Sequence, residues 1–266
     1  MDRALSRRHA EIVEMLRDYG RVTVDGLAEQ FDVSPQTIRR DLNELSEARL
    51  VVRVHGGAIV ASGVQNLAYD ARKLVAQVDK RLIGAAAARL IADNSSLFIN
   101  IGTTTEEVAR ALSGHSGLLV ITNNLNVADE LYRNPGIEVV AAGGNVRPSD
   151  GGTVGAATLA LIGQFRVDTA VIGISAIDPD GTLLDFDVGE VQVARAIIDN
   201  ARRVILVTDS SKFSRSAPAV IGTLADVDIL VTDRLPSPEI AALCRAHTVE
   251  VVEAGGPSEP ELDNSE

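Results

Sequence analysis

Apolar side chains recur at helical spacing in three short segments of the first 50 residues. In each segment they lie three or four residues apart, which places them on one face of a helix and predicts three amphipathic helices around a small core. The second and third segments are close in sequence, as in a helix-turn-helix. The apolar positions are Ile12, Val13, Leu16 and Tyr19 in the first helix, Leu27, Ala28 and Phe31 in the second, with Val22–Val24 at its start and Asp32-Val33 at its end, and Ile38, Leu42 and Leu45 in the third.

The third helix has a well-defined start and a polar face. Ser34 is a side-chain N-cap, and Pro35 occupies the first helical position, where its missing N–H costs nothing. After the helix, the apolar runs Leu50–Val52 and Ile59–Val60 flank a His55-Gly56-Gly57 turn, a pattern typical of the wing in a winged helix. The residues predicted to contact DNA are Ser34, Gln36, Thr37, Arg39, Arg40, Asn43, His55 and Gly56.

Charge limits how this polar face can work. Residues 1–60 contain nine arginines and no lysine against ten acidic residues, a net charge of −1, so a DNA footprint here is local. Two adjacent arginines, Arg39 and Arg40, are on their own more typical of a solvated helix face. The order of N-cap, arginine-bearing helix, apolar return and glycine turn favours DNA binding.

Beyond residue 62, apolar strand-like runs alternate with helical stretches, which predicts a largely parallel α/β sheet. The alanine-rich run Leu74–Ile91 predicts a helix that leads into it. We expect a winged helix at 1–61, a linker with its connecting helix at 62–94, a larger α/β domain at 95–254 and a disordered acidic tail at 255–266. The predicted strands are Leu97–Ile101, Leu118–Thr122, Ile137–Ala142, Thr169–Ile174, Val204–Thr208, Asp228–Thr232 and Thr248–Val252.

Polar loops follow several of these strands, and open α/β sheets bind ligands at the carboxyl ends of their strands. Gly102–Thr105 opens a helix whose free N–H groups suit a phosphate, although the threonines could equally cap that helix. Lys212 is one of three lysines in the chain and closely follows a strand. Each loop alone could simply fix a turn, whereas their convergence favours a phosphate site. The predicted ligand-binding residues are Gly102, Thr103, Thr104, Thr105, Asn123, Arg147, Asp150, Glu190 and Lys212.

Composition excludes several other classes of protein. With 266 residues and 45% hydrophobic content, the chain can bury one sizeable core and carry a small module. Its apolar runs are short, and its N-terminus lacks the basic stretch followed by an apolar stretch that is typical of a signal peptide. We therefore expect a cytoplasmic protein with no membrane partner. Residues 61–266 hold 16 basic and 27 acidic residues, a net −11 that disfavours DNA binding there. Cys244 is expected to be buried, and four scattered histidines predict no metal.

The run SPQTIRRDLNEL followed by HGGA resembles the N-terminal signature of the DeoR family of bacterial sugar-catabolism repressors. The runs GTTT, ITNN, AGG, DVGEV and DSSKF stand in the order of that family's sensor domain, so the resemblance covers about residues 8–233. Within the family, ITNNLNVA, DGGTVG, IGISAIDPDGTLLDFD and SKFSR are most similar to the branch that represses glycerol-3-phosphate metabolism.

The resemblance implies a sensor fold akin to ribose-5-phosphate isomerase and CoA transferases. It implies that Gly102–Thr105 cradle a phosphate with Lys212 as its cation, and that Asn123, Asp150 and Glu190 lie near the polyol end of the ligand. The chain departs from the family pattern at Asn100, where an acidic residue is frequent, and at Ala176 and Ser214, where glycine is common.

Three classes of function fit parts of this sequence. A repressor controlled by a small molecule uses both halves, a sugar-phosphate isomerase only the second, and a structural nucleic-acid-binding protein only the first. Because the loops offer no carboxylate spacing that marks an acid–base pair, we predict a regulator, not an enzyme, with no cofactor. The expected partners are double-stranded operator DNA, further copies of the chain in a dimer or tetramer, and a phosphorylated sugar or polyol as inducer, with glycerol 3-phosphate as the leading candidate.

Overall fold

The computed structural model describes residues 7–19, 21–47, 50–54, 56–59 and 69–255. Three sequence predictions fall outside these ranges: the DNA contact of His55, the linker at Ser62-Gly63 and the tail at Pro257–Glu266. Within the described ranges, no helix has the length and apolar character needed to cross a membrane.

The N-terminal domain is a winged helix, as predicted. Its helices share one core in which Ile12, Ile38 and Leu42 are fully buried. A three-stranded antiparallel sheet in the order β1-β3-β2 closes the domain. Its elements are α1 (Arg7–Tyr19), β1 (Arg21–Thr23), α2 (Val24–Phe31), α3 (Pro35–Glu47), β2 (Val52–Val54) and β3 (Gly57–Ile59).

The start of the second helix differs from the prediction. Arg21–Thr23 is a strand that pairs with β3, and the helix begins only at Val24, with the Thr23 side chain accepting a hydrogen bond from the Gly26 N–H. The β-branched Val22 and Thr23 therefore belong to the sheet, which buries Val22 in the domain core. Helical spacing alone did not separate these three residues from the helix that follows.

The predicted connecting helix over Leu74–Ile91 is two helices. They are α4 (Tyr69–Leu74) and α5 (Gln77–Ala88), separated by Val75 and Ala76. Ala76 is in the left-handed conformation, with φ 49° and ψ 38°, which ends one helix and redirects the chain into the next. The predicted helix is therefore confirmed over Gln77–Ala88 and wrong at its start, where no signal in the sequence indicated the break at Val75-Ala76.

The larger domain alternates strands and helices, as its sequence pattern indicated. Each of the seven predicted strands exists, with bounds that differ from the prediction by at most two residues. Its elements are β4 (Ser96–Ile99), α6 (Thr103–Ala111), β5 (Leu118–Thr122), α7 (Leu125–Leu131), β6 (Ile137–Ala141), β7 (Asn145–Val146), β8 (Thr153–Val154), α8 (Ala156–Ile162), β9 (Thr169–Ile172), β10 (Ala176–Ile177), β11 (Thr182–Asp185), α9 (Val188–Asp199), β12 (Val204–Val207), β13 (Ala219–Thr223), β14 (Ile229–Thr232), α10 (Pro238–Ala246) and β15 (Glu250–Glu253).

Seven of these strands form one parallel sheet in the order β15-β14-β12-β9-β4-β5-β6. The chain winds outward in one direction from β4 through β6 and in the other from β9 through β15, so β4 and β9 flank a topological switch point. Adjacent residues of a strand pack into two different cores, one on each face of the sheet. Leu97 and Ile99 belong to the first core and Phe98 to the second. Cys244 is buried in the second of these cores, as expected.

The sequence pattern missed the antiparallel strands at the edge of this domain. β10, β11 and β13 form a separate three-stranded sheet, and β7 pairs with β8. Three of these strands, β7, β8 and β10, span two residues each, too few for apolar alternation to be recognised. Together they build a rim beyond the carboxyl ends of the parallel strands.

A glycine allows α5 to pack tightly on α6, the helix that opens at the predicted phosphate loop. A Cβ at Gly84 would lie 2.6 Å from the carbonyl carbon of Glu107. We expect Gly84→Ala to lower the free energy of unfolding by about 1–3 kcal/mol, because the backbone of α6 must shift to relieve the clash. Gly114→Ala is the control, since a Cβ there meets nothing within 4 Å. Equal urea midpoints for the two variants would contradict this packing.

Candidate functional site

The helix α3 presents the predicted DNA-contacting residues on its exposed side. The Ser34 hydroxyl accepts a hydrogen bond from the Thr37 N–H at 3.1 Å and lies 2.9 Å from the Thr37 hydroxyl, which fixes the first turn. Gln36, Arg39 and Asn43 are exposed, and Thr37 is half-buried. Arg40 is 71% exposed and lies 3.2 Å from Glu44 one turn on, so its charge is partly neutralised within the helix.

The wing turn needs both of its described glycines. Gly56 has φ 77°, which favours glycine, and a Cβ there would meet nothing within 4 Å. At Gly57 a Cβ would lie 2.0 Å from the carbonyl oxygen of Val22, so the strand β1 can approach the turn only if this residue is glycine. The turn therefore projects freely from the sheet next to α3.

A buried ion-pair cluster holds the buried side of α3 in place. The sequence analysis did not predict it. The Asp41 carboxylate accepts hydrogen bonds from Arg8 Nε at 2.6 Å and Nη2 at 3.1 Å, and lies 3.2 Å from His9 Nε2. Burial opposes ionisation of Asp41, but the hydrogen bonds from Arg8 and His9 outweigh it and lower the pKa of Asp41 below its ordinary value. Asp41 falls three residues after Ile38, on the apolar side of the helix, which is the signal that could have revealed it.

In the larger domain, the switch point between β4 and β9 opens into a small cavity. The Asn100 side chain bridges the strand ends: its amide nitrogen donates to the Gly173 carbonyl at 3.1 Å, and its oxygen accepts from the Gly173 N–H at 2.8 Å. The cavity encloses about 20 Å³, room for about one water molecule. Its polar lining residues are Arg72, Gly102, Thr103, Thr104, Gly173, Ser175, Asp185, Glu190, Thr208 and Lys212.

Three of the four residues in the predicted phosphate loop line this cavity. Gly102, Thr103 and Thr104 border it at the N-terminus of α6. The Thr105 hydroxyl instead donates to the carbonyls of Asn100 and Gly102, at 2.9 and 2.8 Å, and the residue is fully buried. Thr105 thus holds the backbone at the start of α6, while Gly102, Thr103 and Thr104 border the cavity.

The cavity wall carries more positive charge than the sequence suggested. Arg72 on α4 and Lys212 both line it, and Lys80 on α5 is only 2% exposed. Burial, together with Arg215, Lys80 and Arg72, lowers the pKa of Lys212 well below its ordinary value. Arg72 Nε and Arg215 Nη2 are buried without a hydrogen-bond partner among the described residues. Arg72 was not predicted, because it reaches the cavity from α4, outside the loops that follow the strands. Lys80 and Arg215 do not line the cavity but lie near enough to Lys212 and Asp209 to affect the pKa values of both.

One carboxylate near these cations stays ionised. Burial raises the pKa of Asp209, but Lys212 and Lys80 outweigh this and hold it at about 2. Asp185 behaves in the opposite way, since burial raises its pKa although it accepts a hydrogen bond from the Ser175 hydroxyl at 3.0 Å. The cluster of cations is therefore only partly neutralised by protein side chains.

Arg147, which was predicted to bind the ligand, is paired with carboxylates of the protein. Its guanidinium lies 2.6 Å from Asp150, 2.7 Å from Glu190 and 3.5 Å from Asp187. Asp150 also lies 3.3 Å from Arg72, so it joins this group to the cavity wall. Of these residues only Glu190 and Arg72 line the cavity.

Asn123 lies behind the cavity. It is 2% exposed, and its amide nitrogen donates to the Thr153 carbonyl at 3.0 Å. The structure therefore brings Gly102, Thr103, Thr104, Glu190 and Lys212 together at the cavity, and places Thr105, Asn123, Arg147 and Asp150 around it. No group of three or more His, Cys, Asp or Glu side chains suited to a metal ion occurs in the described part of the chain.

Both halves of the chain match domains of known proteins. Residues 8–64 match the DeoR-like helix-turn-helix domain, and residues 76–234 match the DeoR C terminal sensor domain. Among solved structures, ribose 5 phosphate isomerase A from Neisseria gonorrhoeae matches with 14% identity and a TM-score of 0.38, over 50% of this chain and 52% of that one.

Several curated transcription repressors match nearly the whole chain. The glycerol-3-phosphate regulon repressor of Escherichia coli (strain K12) is 46% identical over 246 residues, 92% of this chain and 98% of the relative. The repressor of the same name from Haemophilus influenzae is 48% identical, over 87% of this chain and 90% of its own. The HTH-type transcriptional repressor CsqR of E. coli is 40% identical, over 92% and 94%.

The Glu190 carboxyl should give the protein a measurable pH dependence. Burial and the nearby Asp185 raise its pKa from 4.5 to about 8, although Arg147 opposes the shift. The folded state then keeps a proton that the unfolded chain releases, so stability falls as pH rises from about 5 to 8. We expect Glu190→Gln to flatten this part of the profile, measured by urea unfolding. Glu138→Gln, at an exposed strand position, is the control, and a Glu190→Gln slope equal to wild type would contradict the assignment.

Proposed function

This chain belongs to the DeoR family of DNA-binding transcription repressors, and from that premise we propose that glycerol 3-phosphate is the effector that releases it from DNA. It is a regulator rather than a sugar-phosphate isomerase, since its close relatives are transcription repressors. Two relatives, 46% and 48% identical, are named glycerol-3-phosphate regulon repressors, and we infer that this chain likewise represses genes of glycerol-3-phosphate catabolism. We place its action in the cytoplasm, on operator DNA.

The observation that carries the effector assignment is the excess of buried cations at the cavity. Arg72 and Lys212 line it, Lys80 Nζ donates to the Arg72 carbonyl, and the N-terminus of α6 adds free N–H groups and a partial positive charge. Buried charges are costly unless paired. A phosphate dianion offsets the cost of holding positive charge here and favours the charged form of Lys212, so the site suits a phosphorylated ligand.

The opposite side of the cavity suits the hydroxyl groups of a small polyol. Ser175, Asp185 and Glu190 line it, and the raised pKa of Glu190, about 8, favours a protonated carboxyl that can donate as well as accept a hydrogen bond. The nearby Asp150 and Asn123 are proposed to support this end from behind. A three-carbon polyol phosphate spans such a site with phosphate at α6 and hydroxyls at Glu190.

Release from DNA then follows from linkage between two sites. In a homo-oligomer, two winged helices read half-sites about 10 bp or a multiple apart. Arg39 and Arg40 contact phosphates and base edges together with Gln36, Thr37 and Asn43, while the wing residues His55 and Gly56 lie beside them. An effector that favours another arrangement of the winged helices by about 1–3 kcal/mol weakens operator binding by about 5–150-fold.

A binding titration tests the effector. Fluorescence anisotropy on DNA from upstream of neighbouring genes is followed while glycerol 3-phosphate, fructose 1-phosphate, ribose 5-phosphate or glycerol is added. We expect release by glycerol 3-phosphate and none by glycerol, because the cations at the cavity require the phosphate. Release by another sugar phosphate alone would replace the proposed effector, and release by none would remove the inducer mechanism.

Arg40 separates DNA binding from effector binding. Arg40→Ala removes an exposed charge from the recognition helix, so operator affinity should fall by about 1–3 kcal/mol if it reads a base, while calorimetric binding of glycerol 3-phosphate stays as in wild type. Arg133→Ala is a matched control, since Arg133 is 72% exposed and is likewise paired one turn away, with Asp129. Loss of both activities in Arg40→Ala would argue against separate sites.

Lys212 should show the opposite behaviour. Lys212→Ala removes a cation from the cavity. The variant should therefore stay bound to operator DNA at effector concentrations that lower the operator affinity of wild type by at least about tenfold. Arg202→Ala, which removes a 61% exposed arginine of the same domain, serves as the control. Normal release of the Lys212 variant, measured by the same anisotropy titration, would exclude Lys212 from the site.

A further inference from the structure

A short segment joins the cavity to the core of the winged helix. Residues 69–76, here called the strut, comprise α4 and the Val75-Ala76 turn. Arg72 at its middle lines the cavity, and Val75, three residues on, is buried in the winged-helix core with Ile12 and Leu45. The two domains therefore share a structural element only eight residues long.

The first end of the strut is fixed to the phosphate-binding side of the cavity. The Tyr69 hydroxyl lies 2.8 Å from both carboxylate oxygens of Glu106, which is 3% exposed in the first turn of α6. The Arg72 carbonyl accepts a hydrogen bond from Lys80 Nζ, and the Thr103 hydroxyl lies 3.4 Å from the same carbonyl. A shift of the α6 N-terminus or of Thr103 would therefore change the contacts that hold the strut.

The second end of the strut, Val75-Ala76, packs on the apolar core of the winged helix and is here called the plug. Val75 is 8% exposed, and Ala76 packs against the same core in a left-handed conformation. Beside this contact the domains are separated by a cavity of about 530 Å³, lined by Glu14 of α1 on one side and by residues including Asp79, Asp209 and Arg234 on the other. Val75 and Ala76 thus provide an apolar contact between the strut and the winged-helix core, beside that cavity.

Effector binding cannot leave the cavity unchanged. Its 20 Å³ holds about one water, much less than a polyol phosphate occupies. Arg72 contacts the cavity from the strut and pairs with Asp150 at 3.3 Å, so an entering phosphate competes with Asp150 for the Arg72 guanidinium. Arg72 belongs to α4, a helix of only six residues, so a pull on its guanidinium acts on a short element.

We propose that the strut is the element that couples effector binding to DNA release, with Tyr69 and Val75 as its positioning residues. This rests on the proposed function. Phosphate capture draws Arg72 towards Thr103 and the α6 N-terminus, the strut shifts, and Val75 moves in its seat in the winged-helix core. The winged helix is then no longer held in the orientation that matches the operator.

Val75→Ala tests the plug. Operator affinity is measured with and without saturating glycerol 3-phosphate, and effector affinity is measured separately by calorimetry. Wild type should show the 5–150-fold release expected of such coupling, whereas the variant should bind effector within about twofold of wild type but show less than about threefold release. Val78→Ala, three residues further on and 68% exposed, should behave as wild type. Full release in Val75→Ala would overturn the proposal.

Tyr69→Phe tests the other end and requires no effector. It keeps the ring but removes the hydroxyl that contacts Glu106, so the strut should loosen and operator affinity without ligand should fall by about 3–10-fold. Tyr132→Phe, at a 55% exposed tyrosine, should leave affinity unchanged. Wild-type operator affinity and wild-type release in Tyr69→Phe would refute the strut.

These results separate the strut from the effector assignment. If wild type ignores glycerol 3-phosphate but responds to another sugar phosphate, the effector assignment fails, and the Val75→Ala comparison is made with the responding ligand. If wild type responds to none, there is no effector response for the strut to transmit, and the strut proposal fails whatever the ligand-free affinity of Tyr69→Phe. A Val75→Ala chain that fails to fold leaves the same Tyr69→Phe measurement in place.

Discussion

The reciprocal pair of hydrogen bonds between Asn100 and the backbone of Gly173 joins the two central strands where the sheet changes winding direction. A crevice must form there, and this pair sets its width. An ionised carboxylate could accept the Gly173 N–H but could not donate to its carbonyl, so the asparagine at this position, a departure from the family pattern, has a structural role in this chain. The phosphate-loop glycine and the Ser175 side of the cavity lie directly beyond it.

Repeating patterns of apolar residues gave most of the fold. Buried parallel strands such as Leu118–Thr122 are continuous apolar runs, and their alternation with helices indicated the sheet without any knowledge of contacts. The errors lie where local pattern carries no information. The left-handed Ala76 breaks an alanine-rich run that favours helix, and strand pairing rather than spacing assigns Val22 to the wing sheet.

Sequence patterns predicted only part of the candidate site, for a related reason. The rule that ligands bind beyond strand ends identified Gly102, Glu190 and Lys212, because each closely follows a strand or opens the next helix. Arg72 belongs to a helix that precedes the first strand of the parallel sheet, and only tertiary packing brings it to the cavity. Arg147 shows the reverse limitation: its loop position suggested a free cation, but three carboxylates surround it.

The near-neutral winged helix has a consequence for how this repressor responds to its surroundings. Affinity built on neutralised DNA phosphates falls steeply with salt, by a log–log slope of about −0.9 for each phosphate contacted. A net charge of −1 over residues 1–60, and a recognition-helix arginine paired with Glu44, leave few such contacts. Operator occupancy then depends weakly on ionic strength. A change in ionic strength would then alter gene control less than it would for a strongly basic DNA-binding domain.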